Sequence, residues 1–178
     1  MPQPPIPLIQ AIQRRVAVVA ISASTVRGQG APGVVKAVSD FLVQLSLRQF
    51  GVSQLSQFRR ALDSATDDLV RALPAKARSW GLARKCLNIF LHDAYYNAYL
   101  VDEFDLARAE PFYEVPLDAV IAHSLRRRAG RGVLPQWPGV KHLTPRLSAV
   151  FQTSAQSCAE AMGISRVHLD TYLWVEGR

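Results

Sequence analysis

The stretch Arg84-Lys85-Cys86-Leu87-Asn88-Ile89-Phe90-Leu91-His92-Asp93-Ala94-Tyr95-Tyr96-Asn97-Ala98-Tyr99-Leu100 decides the fold class. Its apolar side chains come in adjacent pairs, Cys86/Leu87, Phe90/Leu91, Ala94/Tyr95 and Ala98/Tyr99, with the same spacing each time. Side chains four apart share one face of an α-helix, whereas a half-buried strand alternates at every second residue. The spacing predicts a core helix over Arg84–Leu100.

Working outward, Ile9, Ile12, Val16 and Val19 predict a helix from Pro5 to Ile21, behind a proline-rich leader at residues 1–5. Ser22 to Gly33 is loop chemistry. Val34, Val38, Phe41, Leu42 and Leu45 restart the stripe, with Gly51 placed for a left-handed C-terminal cap. Shorter helices are expected over Ser53–Arg60 and Asp63–Leu73, and a long connection over Asp102–Glu114. Pro116 opens a stripe of Leu117, Val120, Ile121 and Leu125 that ends at Gly130. Thr144-Pro145 supplies a cap and a first-turn proline for a helix stopped at Gly163, and Ser165 caps a last helix toward Val175. No stretch alternates long enough for a strand and nothing repeats, so the chain reads as all-α with about seven to nine helices. It is expected to form one compact helical domain over 1–178, with a central lobe at 22–115 and a second lobe from 1–21 plus 116–178.

At 178 residues a core forms without metal or disulfide staples. Cys86 and Cys158 each sit in an apolar stretch with no Cys or His at ligand spacing, which excludes a disulfide scaffold, a zinc ribbon and a four-cysteine cluster. Both read as buried thiols, and no metal or cofactor is expected. The longest apolar run near the N-terminus, Val16–Ile21, is too short for a bilayer or a secretory signal, so the chain reads as cytoplasmic, with no membrane partner, and as a monomer. With 21 basic against 14 acidic side chains, a net charge of +7 makes a polyanion the leading partner class. His92, His123, His142 and His168 are too scattered for a metal site.

Four short motifs, in order, resemble those of the helix-hairpin-helix DNA glycosylases, the endonuclease III-like superfamily. Gly81-Leu82-Ala83-Arg84-Lys85 is similar to the family's Gly-hydrophobic-Gly-Arg/Thr-Lys hairpin, with Ala83 in place of the second glycine. Backbone N–H groups of such a turn hold a phosphate oxygen at a helix N-terminus. Val115-Pro116-Leu117-Asp118-Ala119 resembles the segment in which an aspartate opens a helix, where the dipole favours an anion. Ile21-Ser22-Ala23-Ser24-Thr25 resembles the Leu-Ser-Ala-Gln stretch that wedges into the duplex, with Ser24 at the wedge position and Gln29 nearby as a longer substitute. Leu173-Trp174-Val175-Glu176-Gly177-Arg178 is similar to the close of the family's last barrel helix.

The resemblance implies a base-excision glycosylase on double-stranded DNA, free of an iron–sulfur cluster. A damaged or mismatched base is flipped out and removed. Asp118 would stabilise the cationic sugar, and Lys85 would attack its anomeric carbon as a neutral amine, forming a Schiff base in bifunctional members. Gly81, Leu82, Ala83, Arg84, Ser24 and Gln29 would contact DNA. The residues themselves leave a second possibility open: a non-catalytic helical DNA-binding protein on the same scaffold. Its phosphate-tracking face would come from Lys76, Arg78, Arg84, Lys85, Arg126, Arg127, Arg128, Arg131, Lys141 and Arg146.

Overall fold

The computed structural model describes residues 7–29 and 32–176, and among these every regular element is helical. The proline leader at 1–5 and the closing Gly177-Arg178 lie outside the described residues. The helices are α1 (Leu8–Ala20), α2 (Val34–Gln44), α3 (Leu55–Ala72), α4 (Trp80–Tyr95), α5 (Ala98–Phe104), α6 (Ala119–Ala129), α7 (Pro145–Ala161) and α8 (Arg166–Glu176), joined by short 3-10 turns.

The predicted core helix is two. Asn97 accepts the Leu100 N–H at 3.2 Å on its side-chain oxygen and so caps a new helix, α5, which throws Tyr99 off the stripe and leaves it exposed. Toward the N-terminus α4 extends past the predicted start, because Ser79 caps it by accepting from Leu82 N at 3.1 Å. The two short helices expected over residues 53–73 are one helix, α3. Nothing at Ala61-Leu62 breaks it, and Phe58, Leu62, Ala65 and Leu69 form an unbroken buried stripe. The expected connection over Asp102–Glu114 instead completes α5 and forms a 3-10 helix over Leu106–Phe112, with Asp105 left-handed at φ 55° between them.

Gly51 is not a left-handed cap, since its φ is −82°. It is small for another reason: a Cβ there would lie 1.8 Å from the Phe104 carbonyl oxygen. Thr144, Pro145 and Gly163 act as expected at the ends of α7, while the Ser165 hydroxyl is turned to Glu110, donating at 2.6 Å.

Two apolar clusters form the interior. The larger runs from Ala17 to Tyr113 through α1–α5, and the smaller gathers Val115 to Leu173 from α6, α7 and α8. The described part of the N-terminal helix belongs with the first cluster, against its expected grouping with residues 116–178. The half-buried stripe Ile9, Ile12 and Val16 packs on that cluster, and the Gln13 amide donates to the Leu45 carbonyl at 2.7 Å and the Leu42 carbonyl at 3.2 Å, closing the end of α2. Val167 of α8 enters the first cluster and Trp80 of α4 packs on the second, so α4 and α8 join the halves. Each fully buried leucine contributes roughly 1.5–3 kcal/mol. No described helix is long and apolar enough to cross a membrane.

Candidate functional site

Where the halves meet, Lys85 leaves α4 almost fully buried. Its Nζ donates to the Thr25 carbonyl at 3.0 Å and lies 3.6 Å from Asp118 Oδ2. Asp118 is the N-cap of α6: its Oδ1 accepts from Ile121 N at 3.1 Å, and its side chain is 32% exposed. An ammonium has three N–H donors and two acceptors face this one, so one donor remains. Thr25 belongs to the loop after α1, where Ser24 is exposed and hydrogen-bonded to Ser22 at 2.7 Å, and Gln29 is half-buried. Three of the four motifs therefore converge: the lysine, the aspartate and the loop that bears Ser24.

Two turns along α4, His92 Nδ1 lies 3.1 Å from Asp93 Oδ1, while His92 Nε2 is buried with no hydrogen-bond partner among the described residues. Asp170 of α8 faces the same cluster. Burial pushes its carboxyl up to about 6; His92 and Lys85 work against the rise, and Asp118 and Asp93 add to it. A carboxyl near 6 exchanges protons close to neutrality, as general acid–base chemistry requires. Sequence reading missed Asp170, because a single aspartate on an amphipathic helix carries no motif. α8 is fixed in place by Glu110, which accepts from Ser165 Oγ and from the Tyr95 hydroxyl at 2.5 Å; these bonds, Ser165 foremost, hold the Glu110 carboxyl below the usual range.

The remaining hairpin residues are placed differently from expectation. Gly81, Leu82 and Ala83 lie inside the first turns of α4 and are buried. The 3-10 turn Val140–His142 covers them: a Cβ on Gly81 would stand 2.1 Å from the Val140 carbonyl oxygen. Ala83 N donates to Ser79 O, and its helical backbone makes a second glycine unnecessary. These residues do not present an open turn to a phosphate. Arg84 is also interior. It ion-pairs with Asp63, approaches Glu114 at 3.2 Å, donates to Thr66 Oγ1 at 2.9 Å and stacks over the Trp80 ring at 4.9 Å.

Among the other basic residues, Arg128 is tied to Glu176 at 2.5 Å, whereas Arg126, Arg127 and Arg131 line an open concavity of about 580 Å³ with His123. Cys86 is buried and its thiol is pushed up to about 12, chiefly by burial, so it is not a nucleophile near neutrality. Cys158 is half-buried and free. Among the described residues no group of His, Cys, Asp and Glu is arranged to hold a metal. Compared with protein-family models, curated proteins and solved structures, the chain matches none.

Proposed function

We propose that the chain is a DNA base-excision enzyme of the helix-hairpin-helix glycosylase type, with Lys85 as nucleophile and Asp118 as the anion beside it. The observation that carries this reading is the 3.6 Å approach of Lys85 Nζ to Asp118 Oδ2, with the Ser24 loop bonded to the same amine. Buried ionisable groups brought together from separate elements are a common mark of catalytic sites.

In this mechanism Lys85 first gives up a proton to a neighbouring carboxylate. The free amine attacks C1′ of an extruded nucleotide, and the C1′–N bond breaks with its electron pair leaving on the base, which takes up a proton. The carboxylate that took the Lys85 proton returns it there, and Asp170, with its carboxyl near 6, suits that exchange. Asp118 stabilises the positive charge that develops on the sugar. As the ring opens, the adduct's nitrogen passes one of its two protons to O4′ and its lone pair forms C1′=N, giving a protonated Schiff base, which water hydrolyses. The α3–α4 connection serves as the family's hairpin in this reading, but its exposed Lys76 and Arg78, rather than Gly81–Ala83, meet the strand. Arg126 and Arg127 lie about 12–14 Å along α6 from Asp118, within reach of phosphates of the same duplex.

The test is incubation with duplexes bearing abasic, oxidised, alkylated or deaminated sites in the presence of borohydride, which reduces the imine to a stable adduct. The adduct is expected with the wild type and not with Lys85→Ala, and Asp118→Asn is expected to slow base release at least about tenfold. Trapping and cleavage unchanged in both variants would refute the assignment. The exposed Lys76, Arg78, Arg127 and Arg131, which do not involve the Lys85–Asp118 pair, favour a second reading, a non-catalytic helical DNA binder. Salt-steep duplex binding with neither adduct nor base release would establish that one instead.

A further inference from the structure

A cavity of about 290 Å³ lies between α3, α4, α7 and the start of α8, and none of Lys85, Asp118 or Asp170 lines it. Its charged walls are Arg59, Arg84, Arg166, Asp63 and Glu114, giving one positive charge in excess. Arg84 engages both carboxylates. Glu114 also acts on Arg166, so three guanidinium groups share two carboxylates. Arg166 donates Nε to the Tyr113 carbonyl at 2.7 Å, Nη1 to Gln152 O at 3.2 Å and Nη2 to Phe112 O at 3.1 Å. Those bonds use three of a guanidinium's five N–H groups and fix its plane, leaving two free. Arg59 is exposed and makes no hydrogen bond or ion pair among the described residues. Burial lowers the proton affinity of Arg166; Glu114 opposes this and the Arg59 charge adds to it. The Ser148 hydroxyl, on the first turn of α7, also borders the cavity without a hydrogen-bond partner among the described residues.

We infer that this cavity binds a small phosphomonoester, its phosphoryl group between Arg59, Arg166 and Ser148 and its organic body against Trp80 and Phe112. Three guanidinium groups against two carboxylates leave a positive excess in one polar cavity, which an anion would neutralise, and the N-terminal dipole of α7 adds the same sign. A phosphoryl group offers three terminal oxygens and up to two negative charges, enough to meet both guanidinium groups and the hydroxyl at once. The cavity is far larger than one inorganic ion, a water occupying about 30 Å³, so an organic body is part of the ligand. Because its walls exclude Lys85 and Asp118, the inference does not depend on base-excision chemistry.

Isothermal titration of the full chain with inorganic phosphate, a nucleoside 5′-monophosphate and a 5′-phosphorylated single-stranded oligonucleotide tests it. One saturable site is expected for the mononucleotide, with phosphate competing more weakly. Arg59→Gln and Ser148→Ala, neither of which removes an internal bond, should each weaken binding about tenfold with an unchanged helical circular dichroism spectrum. Lys85→Ala should bind as the wild type does. The inference is overturned by no saturable heat up to about 10 mM, by binding of the oligonucleotide alone, by equal affinity in Arg59→Gln and Ser148→Ala, or by loss of binding in Lys85→Ala.

Discussion

Asp118 gives one carboxylate oxygen to Ile121 N, capping α6, and turns the other to Lys85 Nζ 3.6 Å away. A single side chain thus sets where a helix begins and where the nearest anion to a buried amine stands. Because α6 packs on α7 and α8, that cap also fixes the second cluster relative to α4.

The two roles separate by substitution. Asparagine caps a helix nearly as well as aspartate, so Asp118→Asn keeps the start of α6 but strips the charge from Lys85, at about 1–3 kcal/mol. Asp118→Ala loses the cap as well and should fall about 1 kcal/mol below it. Lys85→Met removes the buried ammonium and leaves an aspartate that is one-third exposed and can hydrate, so it should cost less than Asp118→Asn. Urea denaturation of the three variants gives this order directly.

Gly81→Ala makes a prediction opposite to helix propensity. Alanine is favoured over glycine in a helix by about 1 kcal/mol, yet its Cβ would meet the Val140 carbonyl oxygen at 2.1 Å and Leu143 Cβ at 2.7 Å. Forcing the covering turn outward should destabilise the chain by about 1–3 kcal/mol, read as a lowered denaturation midpoint at unchanged slope. A gain in stability would mean that Val140–His142 does not lie against α4.

Helical class and the ends of α7 were legible because each leaves a local mark: a period, or a capping residue followed by proline. What was illegible lies in contacts between elements. Nothing in Gly81-Leu82-Ala83 announces that Val140 will cover it, and the same residues would suit an open turn. The break after Tyr95 depends on a competition between continuing a helix and capping a new one at Asn97, which periodicity does not weigh. Asp170 matters only because α8 crosses α6 and faces α4, a relation set by packing rather than by neighbouring sequence.

Gln13 joins α1 to the end of α2 through one amide that serves the carbonyls of Leu42, Val43 and Leu45. Gln13→Leu preserves much of the volume but leaves buried acceptors unpaired, costing about 1–3 kcal/mol. Hydrogen exchange should then rise in the last turn of α2 before it rises in α4. Uniform acceleration across both helices would contradict this local role.

Asp170 sets a pH dependence whose sign is opposite to that of most aspartates. Its carboxyl is raised to about 6 in the fold, chiefly by burial, against an ordinary value of 3.8. Between those values the folded chain holds a proton that the unfolded chain has lost, so this group's contribution is full below about pH 4 and falls as pH rises through about 6. The loss is of order 1–3 kcal/mol. Asp170→Asn has no proton to lose, and above about pH 6 it should melt higher than the wild type, with the advantage vanishing near about pH 4. Thermal melts at several pH values decide it: a constant offset between the two proteins would show that Asp170 is solvated and does not face the Lys85 cluster.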